Sequence, residues 1–308
     1  MEHDPARGPI VPPGLPPGFL ASLPGRGEVF FRHHRHPDPG APTLVLLHGW
    51  TASADLQFFT AYEALTQAYS VVAIDHRGHG RGLRDVATPF RLEDCADDVA
   101  GVLDALGVAS VVAVGYSMGG AIAMLLARRH PDLVAGLVLE ATALEWRDSR
   151  RDRMRWRGLA LLGTVLRAWW YPRSVDAVLR RMSRLEPSLE PLIPWIEGEV
   201  YRNDPRALIQ AGRALAVYDA RPWALSIDLP TGVLLTTRDH LVRPAKQRAL
   251  AKAMRAEVAE LAGNHLSTML EPAEFSRLTR QLVDSVARRT SRVGSASAPS
   301  GALRRVAG

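Results

Sequence analysis

The chain has 308 residues, 47% hydrophobic and 23% charged. Those fractions exclude a mainly disordered protein, and the length suits one α/β domain carrying an elaboration. Cys95 is the single cysteine, which excludes an internal disulfide and a thiolate zinc cluster and points to a reducing, cytoplasmic setting. The net charge of +6 is local in origin: eleven arginines and three aspartates between Arg147 and Arg184 give that stretch +8, so the remainder is slightly acidic. No nucleic-acid-binding motif accompanies the basic stretch, and its arginines are read as a solvated face.

Residues 1–26 are rich in proline and lack the basic start and apolar run of a secretory signal, and we read them as an irregular, unprocessed segment. A weak edge strand is expected near Glu28 to Arg32. From Thr43 onward, short β-branched runs alternate with longer amphipathic ones, the pattern of repeated βα units and a mostly parallel sheet flanked by helices. Strands are predicted at Thr43 to Leu47, Ser70 to Asp75, Ser110 to Val114, Leu137 to Glu140, Thr231 to Thr236 and Glu257 to Leu261. Helices are predicted at Ala54 to Ala68, Arg91 to Leu106, Met118 to Arg129, Pro244 to Met254 and Pro272 to Arg288.

The rhythm breaks for the 84 residues 144–227, which show helical periods and no strand pattern. An insertion of that size between two sheet strands reads as a helical cap over the strand C-terminal ends, where open α/β sheets bind ligands. It holds six of the seven tryptophans, Trp146, Trp156, Trp169, Trp170, Trp195 and Trp223. These either line a substrate pocket or supply the buried area such a subdomain needs. The core is therefore placed at 27–143 and 228–288. Residues 289–308, rich in Ser, Ala, Gly and Arg, are expected to form a flexible tail. The longest apolar candidate for membrane insertion, Gly158 to Leu166, is about half the roughly 20 residues a spanning helix requires.

Gly115-Tyr116-Ser117-Met118-Gly119 follows an apolar strand and opens a helix. A serine in that position sits on a tight turn, with glycines two residues to either side permitting close backbone approach. Its hydroxyl needs a base to take its proton and a third group to orient the base. Asp239 lies just beyond the strand Thr231 to Thr236, and His265 just beyond the strand Glu257 to Leu261, so all three would meet at one sheet edge. Glu140, ending the preceding strand, is the rival acid, and His240 the rival base; Asp239 and His265 are preferred, since His240 adjoins the acid. The backbone N–H groups of Trp50 and Met118 are candidate oxyanion donors. The run Asp75 to Gly80 reads as a structural turn rather than a metal or phosphate loop, His48 as a buried hydrogen-bonded ring and Cys95 as a small core residue.

Together, His48-Gly49-Trp50, Asp75-His76-Arg77-Gly78-His79-Gly80, Gly115 to Gly120, Asp239 in TTRDHLVRP and His265 in GNHLSTMLEP resemble the capped α/β-hydrolase superfamily. They are similar to its cofactor-free esterase, lipase-like and haloperoxidase-like members, over about Gly27 to Ala287. The resemblance implies Ser117 as nucleophile, Asp239 as orienting acid and His265 as base, acting without metal or cofactor on a small, hydrophobic ester through an acyl-enzyme. Asn264 is a departure, since relatives often carry Asp or Gly before the histidine. Two other functions share the fold: perhydrolase or haloperoxidase-like chemistry with the same three residues, and a catalytically silent ligand receptor.

Overall fold

The computed structural model describes residues 10–84, 88–147, 150, 152, 154, 171–290 and 304–306, with side chains from 175 onward in the helix that begins at 171 and none in 304–306. Trp156, Trp169, Trp170 and the apolar run Gly158 to Leu166 lie outside the described residues. Among those described, no helix is long and apolar enough to cross a membrane.

Among the described residues, nine strands form one sheet. In chain order they are β1 (Gly18–Leu23), β2 (Gly27–His34), β3 (Thr43–Leu47), β4 (Ser70–Ile74), β5 (Val111–Tyr116), β6 (Val134–Glu140), β7 (Thr231–Thr236), β8 (Glu257–Leu261) and β9 (Arg304–Val306). The sheet order is β8-β7-β6-β5-β3-β4-β2-β1-β9. The six strands from β8 to β4 run parallel, and β2, β1 and β9 add antiparallel pairings at one edge. The helices whose bounds fall within the described residues are α1 (Ala54–Phe58), α2 (Tyr62–Thr66), α3 (Leu92–Ala105), α4 (Met118–Arg129), α5 (Tyr171–Leu185), α6 (Ile193–Tyr201), α7 (Pro205–Val217), α8 (Pro244–Ala253), α9 (Ser267–Leu270) and α10 (Pro272–Thr290).

The near-continuous apolar runs of the central strands follow from burial on both faces. Val45, Leu47, Val72, Leu137 and Val233 point into a core closed by α3, α4 and α8. Their neighbours Leu44, Leu46, Val71, Val138 and Leu234 point into a second core closed by α1, α2 and α10. The chain rhythm therefore becomes a three-layer sandwich.

Three expectations are corrected. The segment 1–26 is not irregular throughout, because Gly18 to Leu23 pairs along its whole length with Gly27 to Arg32; Phe19, Ala21 and Leu23 meet the core on alternate positions, a period obscured by the flanking prolines. The helix expected over Ala54 to Ala68 is two short helices. Ala61 N–H bonds Phe58 C=O at 2.8 Å, and the Thr60 hydroxyl donates outward to Thr268 C=O at 3.0 Å, so the helical ladder is interrupted there. The tail 289–308 contains β9, which extends the sheet against β1 from Gly18 to Leu20.

Between β6 and β7 the chain leaves the sheet, and α5, α6 and α7 stand in that excursion. Leu179, Met182, Leu189, Trp195 and Ile196 form their own apolar cluster with Leu56 and Met269, so this insertion packs on α1 and α9. Those elements follow the C-terminal ends of β3 and β8, the sheet edge at which Ser117 also emerges.

Candidate active site

The turn between β5 and α4 is shaped by close backbone approach. A Cβ at Gly119 would lie 1.9 Å from Leu47 O, and one at Gly115 would lie 2.3 Å from Gly119 O, so only glycine fits either place. Ser117 between them has φ of +53°, a conformation costing a non-glycine residue about 1–3 kcal/mol. The surroundings hold it: Ser117 N–H donates to Glu140 C=O at 2.8 Å, and the Thr142 hydroxyl donates to Ser117 C=O at 2.7 Å.

His265 follows β8 and lies over this turn, with Nε2 3.0 Å from Ser117 Oγ and Nδ1 2.7 Å from Asp239 Oδ2. A carboxylate can only accept, so Nδ1 carries the proton and Nε2 of the neutral ring is left to accept from the serine hydroxyl. Asp239 is 2% exposed. Burial alone would push its pKa up, but the hydrogen bond and charge of His265, with the amides of Val242 and Leu241, outweigh burial and hold it below the usual carboxylate value. It therefore remains ionised at neutral pH.

Several residues that the sequence did not reveal support this line. Gln247 on α8 is fully buried; its Nε2 donates to Thr236 Oγ1 at 2.9 Å and Val242 C=O at 2.7 Å, while its Oε1 accepts from Thr236 N–H at 3.0 Å. The Thr236 hydroxyl then donates to Asp239 Oδ2 at 2.9 Å. Tyr116 donates its phenol to His265 C=O at 3.0 Å. Asn264 is explained by the turn it builds, its Oδ1 accepting from Leu266 N–H at 2.7 Å. The departure noted in the sequence thus serves to present His265.

The rival acid does something else. Glu140 receives the Thr279 hydroxyl on Oε1 at 2.6 Å and is wholly buried, which lifts its pKa to about 8. His240, the rival base, is exposed. His48, as the sequence suggested, is a buried bonded ring: Nδ1–H donates to Gly49 C=O at 2.8 Å and Nε2 accepts from His76 N–H at 2.9 Å. Burial, then the neighbouring His76 and His79, hold its pKa well below the ordinary histidine value. In the Asp75 to Gly80 turn, the Asp75 carboxylate accepts from Ala54 N–H and Arg81 N–H, both at 2.7 Å, which ties this turn to α1.

The Gly49–Trp50 segment runs beside the serine, since a Cβ at Gly49 would meet Ser117 Cβ at 3.4 Å. Trp50 turns its indole outward from that segment, Nε1 donating to Leu208 C=O at 2.8 Å in α7. Met118 is the first residue of α4, so its amide belongs to the positive end of the helix. Trp50 borders one cavity of about 430 Å³, whose walls include Ser117 and His265. Its broad wall is apolar, built from Leu56, Leu179, Met182, Ile196 and Met269. A polar end is formed by Arg243, Lys246 and Asp152, with Lys246 Nζ 3.1 Å from Asp152 Oδ2.

Residues 42–165 match the family model described as the alpha/beta hydrolase fold. A pimeloyl-[acyl-carrier protein] methyl ester esterase from Neisseria meningitidis serogroup A is 30% identical, over 79% of this chain and 77% of that protein. A putative carbamate hydrolase from Serratia proteamaculans is 28% identical, over 78% of this chain and 90% of its own. A putative carbamate hydrolase from Caulobacter vibrioides matches at 39% identity, but over 34% of this chain and 39% of that protein's length. Among solved structures, the enol-lactonase from Burkholderia xenovorans LB400 superposes with a TM-score of 0.74 at 26% identity, covering 86% of this chain and 99% of that one. Fold, matched region and relatives together define the class: the chain belongs to the α/β-hydrolase superfamily. Within it, the chain is an enzyme of the hydrolase class, alongside esterases and lactonases.

Proposed function

We propose that the chain is a serine hydrolase that cleaves a carboxylic ester, or a related acyl substrate, through an acyl-enzyme intermediate. The observation that carries this reading is the unbroken line from Ser117 Oγ to His265 Nε2 at 3.0 Å and from His265 Nδ1 to Asp239 at 2.7 Å, opening on an apolar cavity. His265 Nε2 takes the hydroxyl proton as Ser117 Oγ attacks the carbonyl carbon. Asp239 offsets the positive charge that appears on the ring. The amides of Trp50 and Met118 receive the carbonyl oxygen as it becomes negative, each such donor contributing about 3–4 kcal/mol in the transition state. His265 returns the proton to the departing alkoxide, leaving Ser117 acylated. Water, deprotonated by the same ring, then attacks the acyl carbon; the acid leaves and the serine is restored.

The insertion 144–227 acts as a cap, because α5 and α6 supply much of the apolar wall that would receive the acyl group. A small, hydrophobic substrate suits that wall, and no metal or cofactor takes part in the scheme. The test is hydrolysis of p-nitrophenyl esters of graded chain length. Ser117→Ala should lose at least about a thousandfold in kcat with an unchanged fold. A variant as active as the parent would overturn the nucleophile assignment, and bromination with peroxide and halide exceeding ester hydrolysis would redirect it to perhydrolase chemistry.

A further inference from the structure

The residues beside the catalytic serine form a turn, closed by Ala52 N–H donating to Gly49 C=O at 3.3 Å. Its third residue, Thr51, has φ of +69°. That position in a turn of this hand favours glycine or asparagine, and a β-branched side chain is strained there. Something must hold the turn closed, and what does so comes from far along the chain. Asn203, in the link between α6 and α7, is 4% exposed and donates Nδ2–H to Thr51 C=O at 3.0 Å and to Val200 C=O at 2.8 Å. Its Oδ1 accepts from Gly80 N–H at 3.0 Å. One side chain thus joins the insertion to the strained turn and to the Asp75 to Gly80 turn.

Neighbouring contacts fix where Asn203 stands. Asp204 N–H donates to Gly78 C=O at 2.8 Å. Glu199, one turn of helix earlier and 1% exposed, accepts the Ser53 hydroxyl at 2.7 Å and pairs with Arg81 at 2.7 Å. On the far side of the same turn, the Trp50 indole is held by Leu208 C=O and lies against Gly212, where a Cβ would reach the ring at 2.9 Å. Asn203 is not among the residues that line the cavity.

We infer that Asn203 is a positioning residue: its bond to Thr51 C=O holds the strained turn in the conformation that presents the Trp50 amide to the oxyanion. The insertion therefore has a second task besides lining the pocket, since it braces the backbone that stabilises the transition state. The inference rests on the serine-hydrolase reading and adds a residue to it. Because Asn203 acts on the turn and not on the bound ester, its loss falls on kcat rather than KM.

Asn203→Ala is expected to lower kcat on a p-nitrophenyl ester at least about tenfold, a fraction of the 10²–10³ that a whole oxyanion donor supplies, with KM within about threefold. Fluorophosphonate labelling of Ser117 should slow by a similar factor. Thr51→Gly introduced into the Asn203→Ala chain removes the strain and should recover at least half of the lost factor on a logarithmic scale. Asn203→Asp keeps the acceptor for Gly80 but sets an oxygen against Thr51 C=O; it should lose kcat as Asn203→Ala does, and it carries the test if the alanine variant does not fold. Parental kcat in a folded Asn203→Ala or Asn203→Asp chain, or a double variant no faster than Asn203→Ala, overturns the inference. A wild-type chain that takes no label removes the hydrolase reading and this inference with it; a labelled wild type with an indifferent Asn203 removes this inference alone.

Discussion

The carboxylate of Asp239 is bound in a way that makes Asp239→Asn unusually informative. Oδ1 accepts from the amides of Leu241 at 2.7 Å and Val242 at 3.0 Å, while Oδ2 faces His265, Thr236 and Gln247. An asparagine must keep its oxygen toward the two amides, because turning it would set an NH2 against them and leave buried groups unpaired at about 1–3 kcal/mol each. The NH2 is thereby forced toward His265 Nδ1, which must then accept, and the ring proton moves to Nε2. A ring protonated at Nε2 cannot take the Ser117 proton. The expected loss in kcat is about 10⁴, equivalent to about 5 kcal/mol in the barrier. Folding is expected to suffer by only about 1–2 kcal/mol, since the backbone bonds survive. Steady-state hydrolysis of a p-nitrophenyl ester, beside a thermal melt, reads both effects. A folded Asp239→Asn chain retaining more than a tenth of parental kcat would refute the tautomer argument.

Glu140→Gln separates the rival acid from the chosen one by pH. With a folded pKa of about 8 against an ordinary value of 4.5, Glu140 keeps a proton in the folded chain that the unfolded chain releases, so wild-type stability is intact below 4.5 and falls as pH rises toward 8. The stability of Glu140→Gln relative to wild type should therefore improve from pH 5 to pH 8, by on the order of 3 kcal/mol, with kcat at neutral pH within about twofold of the parent; chemical denaturation at the two pH values checks it, and a flat difference contradicts it. Met182→Trp narrows the apolar wall and should lower the octanoate-to-acetate ratio of kcat/KM at least about tenfold, whereas an unchanged ratio would place the acyl group elsewhere.

Where local patterning and packing agree, the sequence is read to the residue. The bounds of β3, β7 and β8 and of α4 coincide with those expected, because each apolar run is bracketed by turn formers and buried where its period says. That Ser117, Asp239 and His265 come within hydrogen-bonding reach follows from the same logic: each lies just past a recognisable strand, and a parallel sheet brings those ends together. β1 was not legible, since prolines before Gly18 hide a period only six residues long. Gln247 and Asn203 were invisible for another reason. Each acts across the fold, Gln247 on a strand end eleven positions earlier and Asn203 on a turn 152 positions away, and no local motif marks a buried amide that will satisfy distant backbone. Asn264 looked like a departure until its own turn explained it.

The central claim is that Ser117 is a nucleophile activated by His265, and covalent capture tests it with the fewest intervening assumptions. The intact chain is incubated with a fluorophosphonate and its adduct mapped by peptide mass spectrometry, beside Ser117→Ala. The account predicts one phosphonyl group per chain, carried on Ser117 and absent from the variant. A chain that stays unmodified, or one labelled at another residue in wild type and variant alike, would contradict it.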